Sequence, residues 1–487
     1  MAQHLLPHEL TPNEREWVRA RLTAQLGTAP SDPASPDVER VADAVDDLLD
    51  TLLRRRLADE ARPADRGTPG PRDARHRVVI TGLGIISAMG QSIDAYWDNL
   101  VQGRSGISVI EAYDVTAFRC KIAGEIKQWD SSPWIIEREA KRMSRASQFV
   151  VAAARQALDD SRFPLPPDGT DQLGVLIGSG TTAFPETEAE MRVLASRGPG
   201  TVSPFFVPMV LPNMPAGQLG LQFGARGWNA AITSACSAST TAIGEGAEII
   251  RRGDVVAMLV GGTEAPIAEI SMAGFNSLRA LSTRNDDPAG ACRPWDRTRD
   301  GMVGAEGAGM LLLERLDHAL ARGAPIYAEV LGVGGSCDAY HLVAPDPSGR
   351  GGALALNRAL VNSGVAPTAV DYINAHGAGT SYNDPMETRV IKTVLGDHAY
   401  QVPISSTKSM AGHPLAACGA FEGIATVLTL KHGIIPPTIN LHHADPDCDL
   451  DYTPLEARRA DVRVAVSENF GLGGQNAAVV LRRWDGE

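Results

Sequence analysis

A chain of 487 residues exceeds one ordinary domain and, at ~150 residues per domain, points to about three units. Its composition, 44% hydrophobic, 21% charged and 5% aromatic with 49 glycines and 32 prolines, is that of an α/β enzyme with many tight turns. A formal net charge of −13 gives no field that attracts nucleic acid or an anionic membrane surface, so an acidic partner needs a local basic patch.

The N-terminus, MAQHLLPHELTPNERE, lacks the basic start and apolar core of a signal peptide, and no apolar run reaches the ~18 residues of a membrane span. Cys120, Cys236, Cys292, Cys337, Cys418 and Cys448 form no CxxC pair, which argues against a zinc ribbon or a disulfide framework and fits a reducing cytoplasm. Thr11-Pro12-Asn13-Glu14 has a capping threonine, proline at the first helical position and glutamate three residues after the cap, and Gly27 supplies a stop. A second helix opens at Ser35-Pro36, carries Val38, Val41, Val45, Leu48, Leu49 and Leu52 at helical spacing, and ends in Arg54-Arg55-Arg56. Residues 1–60 are thus expected to form a helical hairpin, either a packing arm or a docking element, and residues 61–76 have the Pro, Gly and charge of a linker.

Beyond the linker, short β-rich apolar runs alternate with helical patterns: residues 77–85, 173–180, 255–262, 309–315, 326–335 and 370–379. Runs of this kind are strands buried on both faces, in sheets covered by helices. The opening RVVITGLGI has a weak counterpart in IYAEVLGVG, a match too short to demonstrate a repeat but compatible with two related halves, 77–325 and 326–487.

Three stretches carry residues suited to chemistry. Cys236, in AITSACSASTTAIGEGAEIIRRGD, stands at the start of a helical pattern that ends at Gly253. A helix N-terminus favours thiolate, although most free cysteines are inert core residues. His376 ends a strand and opens a glycine-rich loop, a common place for function, although a lone histidine there is more often structural. Glu387 stands at capping-box spacing from Asp384. Lys408 and His413 share a polar loop before a helix that starts at Pro414 and stops at Gly433; a histidine beside a helix N-terminus stays neutral and can donate a hydrogen bond to a carbonyl. Gly471, Gly473 and Gly474 leave backbone amides accessible to a ligand. His442, His443, Asp445, Asp447 and Cys448 crowd one loop, where surface decoration is the better reading than a metal site.

These blocks resemble the β-ketoacyl-(acyl carrier protein) synthases, closest to the class II elongating enzymes. The likeness runs from about Arg77 to Arg482 through ITGLGIISAMG (80–90), SPFFVPMVLPNM (203–214), LSTRNDDP (281–288), RPWDRTRDGMVGAEGAGMLLLE (293–314), CDAYH (337–341), NAHGAGT (374–380), SSTKSMAGH (405–413) and PPTINL (436–441). It implies a thiolase-like α/β fold, two βαβαβ halves in a layered αβαβα arrangement, here preceded by the helical extension. It also implies that Cys236 accepts the acyl group while His376 and His413 hold the malonyl thioester as carbon dioxide leaves. Lys408 would pair with Glu387, and the backbone N–H groups of Cys236 and Leu472 would form the oxyanion hole. Asn374, Glu422, Ser467 and Glu468 fall where relatives often hold a structural cation, with Glu468 replacing the usual asparagine.

The family's NSFGFGG loop reads ENFGLGG here, so Leu472 replaces the phenylalanine that gates the acyl pocket, beside Phe470 and Leu211. Ala378 replaces a threonine that bonds the pantetheine arm, leaving Thr380 for that role. The resemblance implies no cofactor beyond the phosphopantetheine carried by the substrate. Its partners are an acyl carrier protein, for which Arg138, Lys141, Arg142 and Arg145 form the basic patch, and a second subunit, either a copy of the chain or a ketosynthase-like chain-length factor. Neither nucleic acid nor membrane is expected as a partner. A ketosynthase of a polyketide or polyene pathway is the alternative. A non-catalytic chain-length factor is a further one, against which Cys236 speaks, and a degradative thiolase would use Cys/His/Cys rather than Cys/His/His.

Overall fold

The structure is a computed structural model that describes residues 76–181 and 183–486. The expected hairpin over residues 1–60 and nearly all of the expected linker lie outside those residues. Among the described residues, no helix is long and apolar enough to cross a membrane.

Ten strands make the main sheet: β1 (Val78–Ser87), β2 (Leu173–Ser179), β3 (Asn229–Ile232), β4 (Ala257–Glu264), β5 (Gly307–Arg315), β6 (Ala328–Cys337), β7 (Tyr372–Asn374), β8 (Ile404–Ser405), β9 (Val464–Phe470) and β10 (Gln475–Arg483). Their order across the sheet is β8-β7-β9-β10-β6-β1-β5-β4-β2-β3. Outward from the β1/β6 seam, one half runs 1-5-4-2-3 and the other repeats it with five added to each number. Directions repeat as well: in each half the two outer pairings are parallel and the inner ones antiparallel. The seam is narrow, pairing Val79 with Glu329 and Ile80 with Ala328.

Helices set the layers. Helix α1 (Arg145–Ser161) covers β1 and β5 from outside, and its alanines bring its backbone close to the sheet. A Cβ at Gly82 or Gly84 would overlap the carbonyl oxygens of Ala157 and Ala153, which is why the first strand needs glycine at both positions. Helix α2 (Ala238–Arg252) and helix α5 (Cys418–His432) pack against each other and against strands of both halves, so they form the central layer. Burial on every side of α5 from Cys418 through Leu430 follows from that position. The two helices cross closely where Gly419 abuts Thr240. Helix α3 (Arg350–Ser363) covers β6 and β10 from the other outside face, next to helix α4 (Asn383–Leu395). Helices outside and between the two half-sheets give the αβαβα layering.

Candidate active site

The same turn occurs once in each half. After β3 the chain makes a single tight turn, Ala235–Ser237, and enters α2; after β8 and the short helix Lys408–Ala411 it makes the turn Leu415–Ala417 and enters α5. Each turn begins on a non-glycine residue in the left-handed region, Ala235 at φ 50° and Leu415 at φ 45°. Such backbone is held only where the surroundings impose it. Here it aims Cys236 and His413 at one place. His376 arrives from the end of β7, and all three side chains line one cavity of about 310 Å³. The imidazoles of His376 and His413 lie 5.3 Å apart between centroids and nearly perpendicular, at 85°.

Electrostatics decide the protonation states. Burial, with Lys408 and His413 nearby, holds His376 well below the ordinary histidine range. Burial and the Lys408 charge bring His413 down to about 3. Both rings are therefore neutral at physiological pH. Nδ1 of His413 accepts the backbone N–H of Leu415 at 3.1 Å, which leaves the ring proton on Nε2.

Burial works against the helix-terminus argument for a resting thiolate. Cys236 sits on the tight turn that precedes α2, and burial pushes its thiol up to about 11, while the Lys408 charge and the backbone N–H groups of Leu472 and Cys236 oppose that rise. Those two N–H groups are the pair expected to form an oxyanion hole.

Lys408 is bonded to Glu422, not to Glu387. Its Nζ also donates to the His376 carbonyl at 2.7 Å and approaches His376 Nδ1 at 3.3 Å. Glu387 neither pairs with Lys408 nor caps its helix. Its carboxyl accepts the backbone N–H groups of His376 at 2.6 Å and Gly377 at 2.8 Å, clamping the loop that bears the histidine. Burial, backed by Asp384, raises Glu387 to about 8.

Other expected residues divide. Phe470, Leu472 and Thr380 line the cavity. Leu211 does not: it ends the short helix Phe206–Val210 and stands exposed. Arg138 and Lys141 are exposed, Lys141 pairing with Glu137, and Arg142 stacks its guanidinium over Phe205 at 4.8 Å. Arg145 leaves the patch, because its guanidinium turns inward to bind both oxygens of buried Glu306.

The residues expected to hold a structural cation divide between the two faces of the sheet, and Asn374 Oδ1, Ser467 Oγ and both Glu468 carboxyl oxygens are buried without a hydrogen-bond partner. Ser467 and Glu468 are successive residues of β9 and point to opposite faces of the sheet. Asn374, which pairs with Ser467 in register, turns its amide towards the Glu422 carbonyl, whereas Glu468 faces Glu387. The Glu422 carboxylate is taken by Lys408 and Asn469. Among the described residues no cluster of three or more His, Cys, Asp or Glu side chains is arranged to hold a metal, and this includes the His442–Cys448 loop.

Residues 75–319 match the N-terminal domain family of the beta-ketoacyl synthases, and residues 327–442 match the C-terminal domain family. The chain belongs to the β-ketoacyl synthase family. The 3-oxoacyl-(acyl-carrier-protein) synthase 2 of Synechocystis sp. is 46% identical over 410 residues, covering 84% of this synthase and 99% of the relative. Its namesake from Staphylococcus aureus (strain COL) is 44% identical over 409 residues, with coverages of 84% and 99%. Among solved structures, the ishigamide ketosynthase/chain length factor superimposes with a TM-score of 0.80 at 36% identity, over 84% of this chain and 100% of that one. The AntDE:AntF complex, a type II polyketide acyl-carrier protein with its ketosynthase, gives 0.77 at 33% identity, with coverages of 84% and 100%.

Two polar residues of the synthase's site escaped the sequence reading. Asn469 donates to His376 Nδ1 at 3.1 Å, and Cys418 sets its sulfur 3.5 Å from His413 Nδ1. Asn469 lies in the glycine-rich C-terminal block and Cys418 directly after the GHPLAA turn. Their proximity to motif residues was the only signal, and it does not say which way a side chain points.

Proposed function

We propose that this synthase joins an acyl group to decarboxylated malonate, both delivered as thioesters of an acyl carrier protein. The observation that carries the reading is one cavity lined by a cysteine and two neutral imidazoles. In the first half-reaction Cys236 attacks the acyl thioester, the oxyanion is held by the N–H groups of Cys236 and Leu472, and the proton lost from Cys236 ends on the departing carrier thiol. In the second, the malonyl C–CO₂ bond breaks and its electrons pass to the thioester oxygen, where the two Nε2–H groups hold the enolate. The enolate carbon then attacks the acyl carbonyl and Cys236 leaves as thiolate. No step calls for a redox group or metal, so phosphopantetheine on the carrier is the sole prosthetic arm required.

The relatives named as 3-oxoacyl-(acyl-carrier-protein) synthases support fatty-acid elongation. The ketosynthase/chain-length-factor likeness, together with leucine rather than phenylalanine at position 472, supports a polyketide or polyene ketosynthase paired with a chain-length factor as the second reading. Arg138, Lys141 and Arg142 are the carrier patch in either case, and Thr380 at the cavity wall meets the pantetheine arm. Free cysteines throughout the described chain fit a cytoplasmic location. Incubation with acyl-carrier thioesters of several lengths followed by intact-protein mass spectrometry tests the reaction. The acyl mass appears on the wild type and not on Cys236→Ala; loading on both, or on neither, refutes it.

A further inference from the structure

Asn469 sits in β9 opposite Ala477, wholly buried in a strand whose neighbours are chiefly apolar. A buried primary amide is costly unless its donors and acceptor are met. Here they are. Nδ2 donates to His376 Nδ1 at 3.1 Å and to Glu422 Oε2 at 2.7 Å, and Oδ1 accepts the hydroxyl of Thr240 in α2. Glu422 Oε1 takes Lys408, and Lys408 closes on His376 through both the carbonyl and Nδ1. His376, Lys408, Glu422 and Asn469 therefore form a closed ring of hydrogen bonds, and each of the four is buried.

The ring constrains a proton. Nδ1 of His376 meets two groups, an amide and an ammonium, and both are donors. A nitrogen facing only donors keeps its lone pair, so the imidazole proton stays on Nε2. Of the two, Asn469 is the nearer. We propose that Asn469 is a positioning residue for the condensation, holding His376 as the tautomer that offers Nε2–H to the thioester oxygen as the enolate forms. The proposal rests on the condensing-enzyme reading of the cavity. Acyl loading has no need of this proton, since it uses Cys236 and backbone N–H groups, whereas decarboxylation does.

The first measurement is made on the full wild-type chain labelled with ¹⁵N-histidine, with the His376 signals identified by their loss in His376→Gln. The Nδ1 resonance is expected at the position of an unprotonated ring nitrogen, and a protonated Nδ1 overturns the proposal even if no variant folds. The second compares Asn469→Ala with wild type. Malonyl-carrier decarboxylation is expected to fall roughly ten- to a hundredfold in kcat with KM unchanged, acyl loading on Cys236 to stay within about twofold, and part of the Nδ1 signal to move to the protonated position. Equal loss of loading and decarboxylation marks a structural role and overturns it, as does decarboxylation within about twofold of wild type. Wild-type enzyme that takes no acyl group at all is a different result: it removes the condensing-enzyme reading beneath.

Discussion

The ammonium of Lys408 lies against the carboxylate of Glu422, and both side chains are closed off from solvent, at 1% and 2% exposure. Removing one member of such a pair leaves the other charge uncompensated, which typically costs about 3–5 kcal/mol, while replacing both with apolar groups costs far less. Glu422→Gln is therefore expected to lower stability by about that amount in a denaturant titration, and a Lys408→Met, Glu422→Leu double variant to recover most of it. A single variant as stable as wild type would show that the pair is not what holds this ammonium.

The depressed histidines predict a sloped stability profile on the acid side. Unfolded, His413 takes a proton near pH ~6.5; folded, it resists protonation down to about 3. Between those values the unfolded chain binds the extra proton, so stability rises with pH through the window and falls on acidification, by up to about 1.4 kcal/mol per pH unit for one such group. His376 adds a slope of the same sign. Comparing unfolding free energies from pH ~6.5 down to ~4.5, His413→Gln should lose its share of the slope. An unchanged slope in the variant contradicts a buried neutral ring.

The six apolar runs mark β1, β2, β4, β5, β6 and β7, because a strand buried on both faces has to be apolar nearly throughout. β9 fails that test. It carries Ser467, Glu468 and Asn469 in succession, fully buried, and the amide of Asn469 answers to groups far away in sequence. β3 and β8 are too short to show a pattern. Arg145 looked like one more charge in a basic stripe, and only packing shows that Glu306, 161 residues on, draws it inward. The partner of Lys408 was illegible for a related reason: two acidic residues stood within reach of the motif, and the register of α5 against the His376 loop chooses between them.

Glu468 supplies a prediction of opposite sign to that of the histidines. Both its carboxyl oxygens are buried without a hydrogen-bond donor, and burial, together with neighbouring Glu387, holds it well above the ordinary glutamate range. Glu387 itself is pushed up to about 8 by burial and the neighbouring Asp384. From the unfolded glutamate value of ~4.3 up to that point the folded state holds more protons than the unfolded one, so this pair makes stability fall as pH rises. Glu468→Gln removes one titrating group and relieves the other. Its stability should decline less than that of wild type between pH ~6 and ~8 in parallel denaturant titrations. A variant that declines as steeply shows that Glu468 does not keep its proton in the folded state over that range.

Cys236 presents a thiol at rest and a nucleophile on demand. With its thiol held up at about 11, only a small fraction is thiolate near neutrality, and below that value the fraction grows tenfold with each pH unit. Alkylation by iodoacetamide, followed at the Cys236 peptide by mass spectrometry so that exposed Cys337 does not contribute, should accelerate about tenfold per pH unit from pH ~7 to ~9 without levelling. The Lys408 charge lowers the thiol's pKa, so the Lys408→Met variant should react more slowly at every pH in that range. A plateau already present near pH ~7 would mean a standing thiolate. The attack on the acyl thioester would then need no help from the approach of substrate. With the thiol protonated at rest, the proton has to leave as the carbonyl arrives, and the N–H groups of Leu472 and Cys236, which already face the sulfur, are placed to stabilise the charge at that moment.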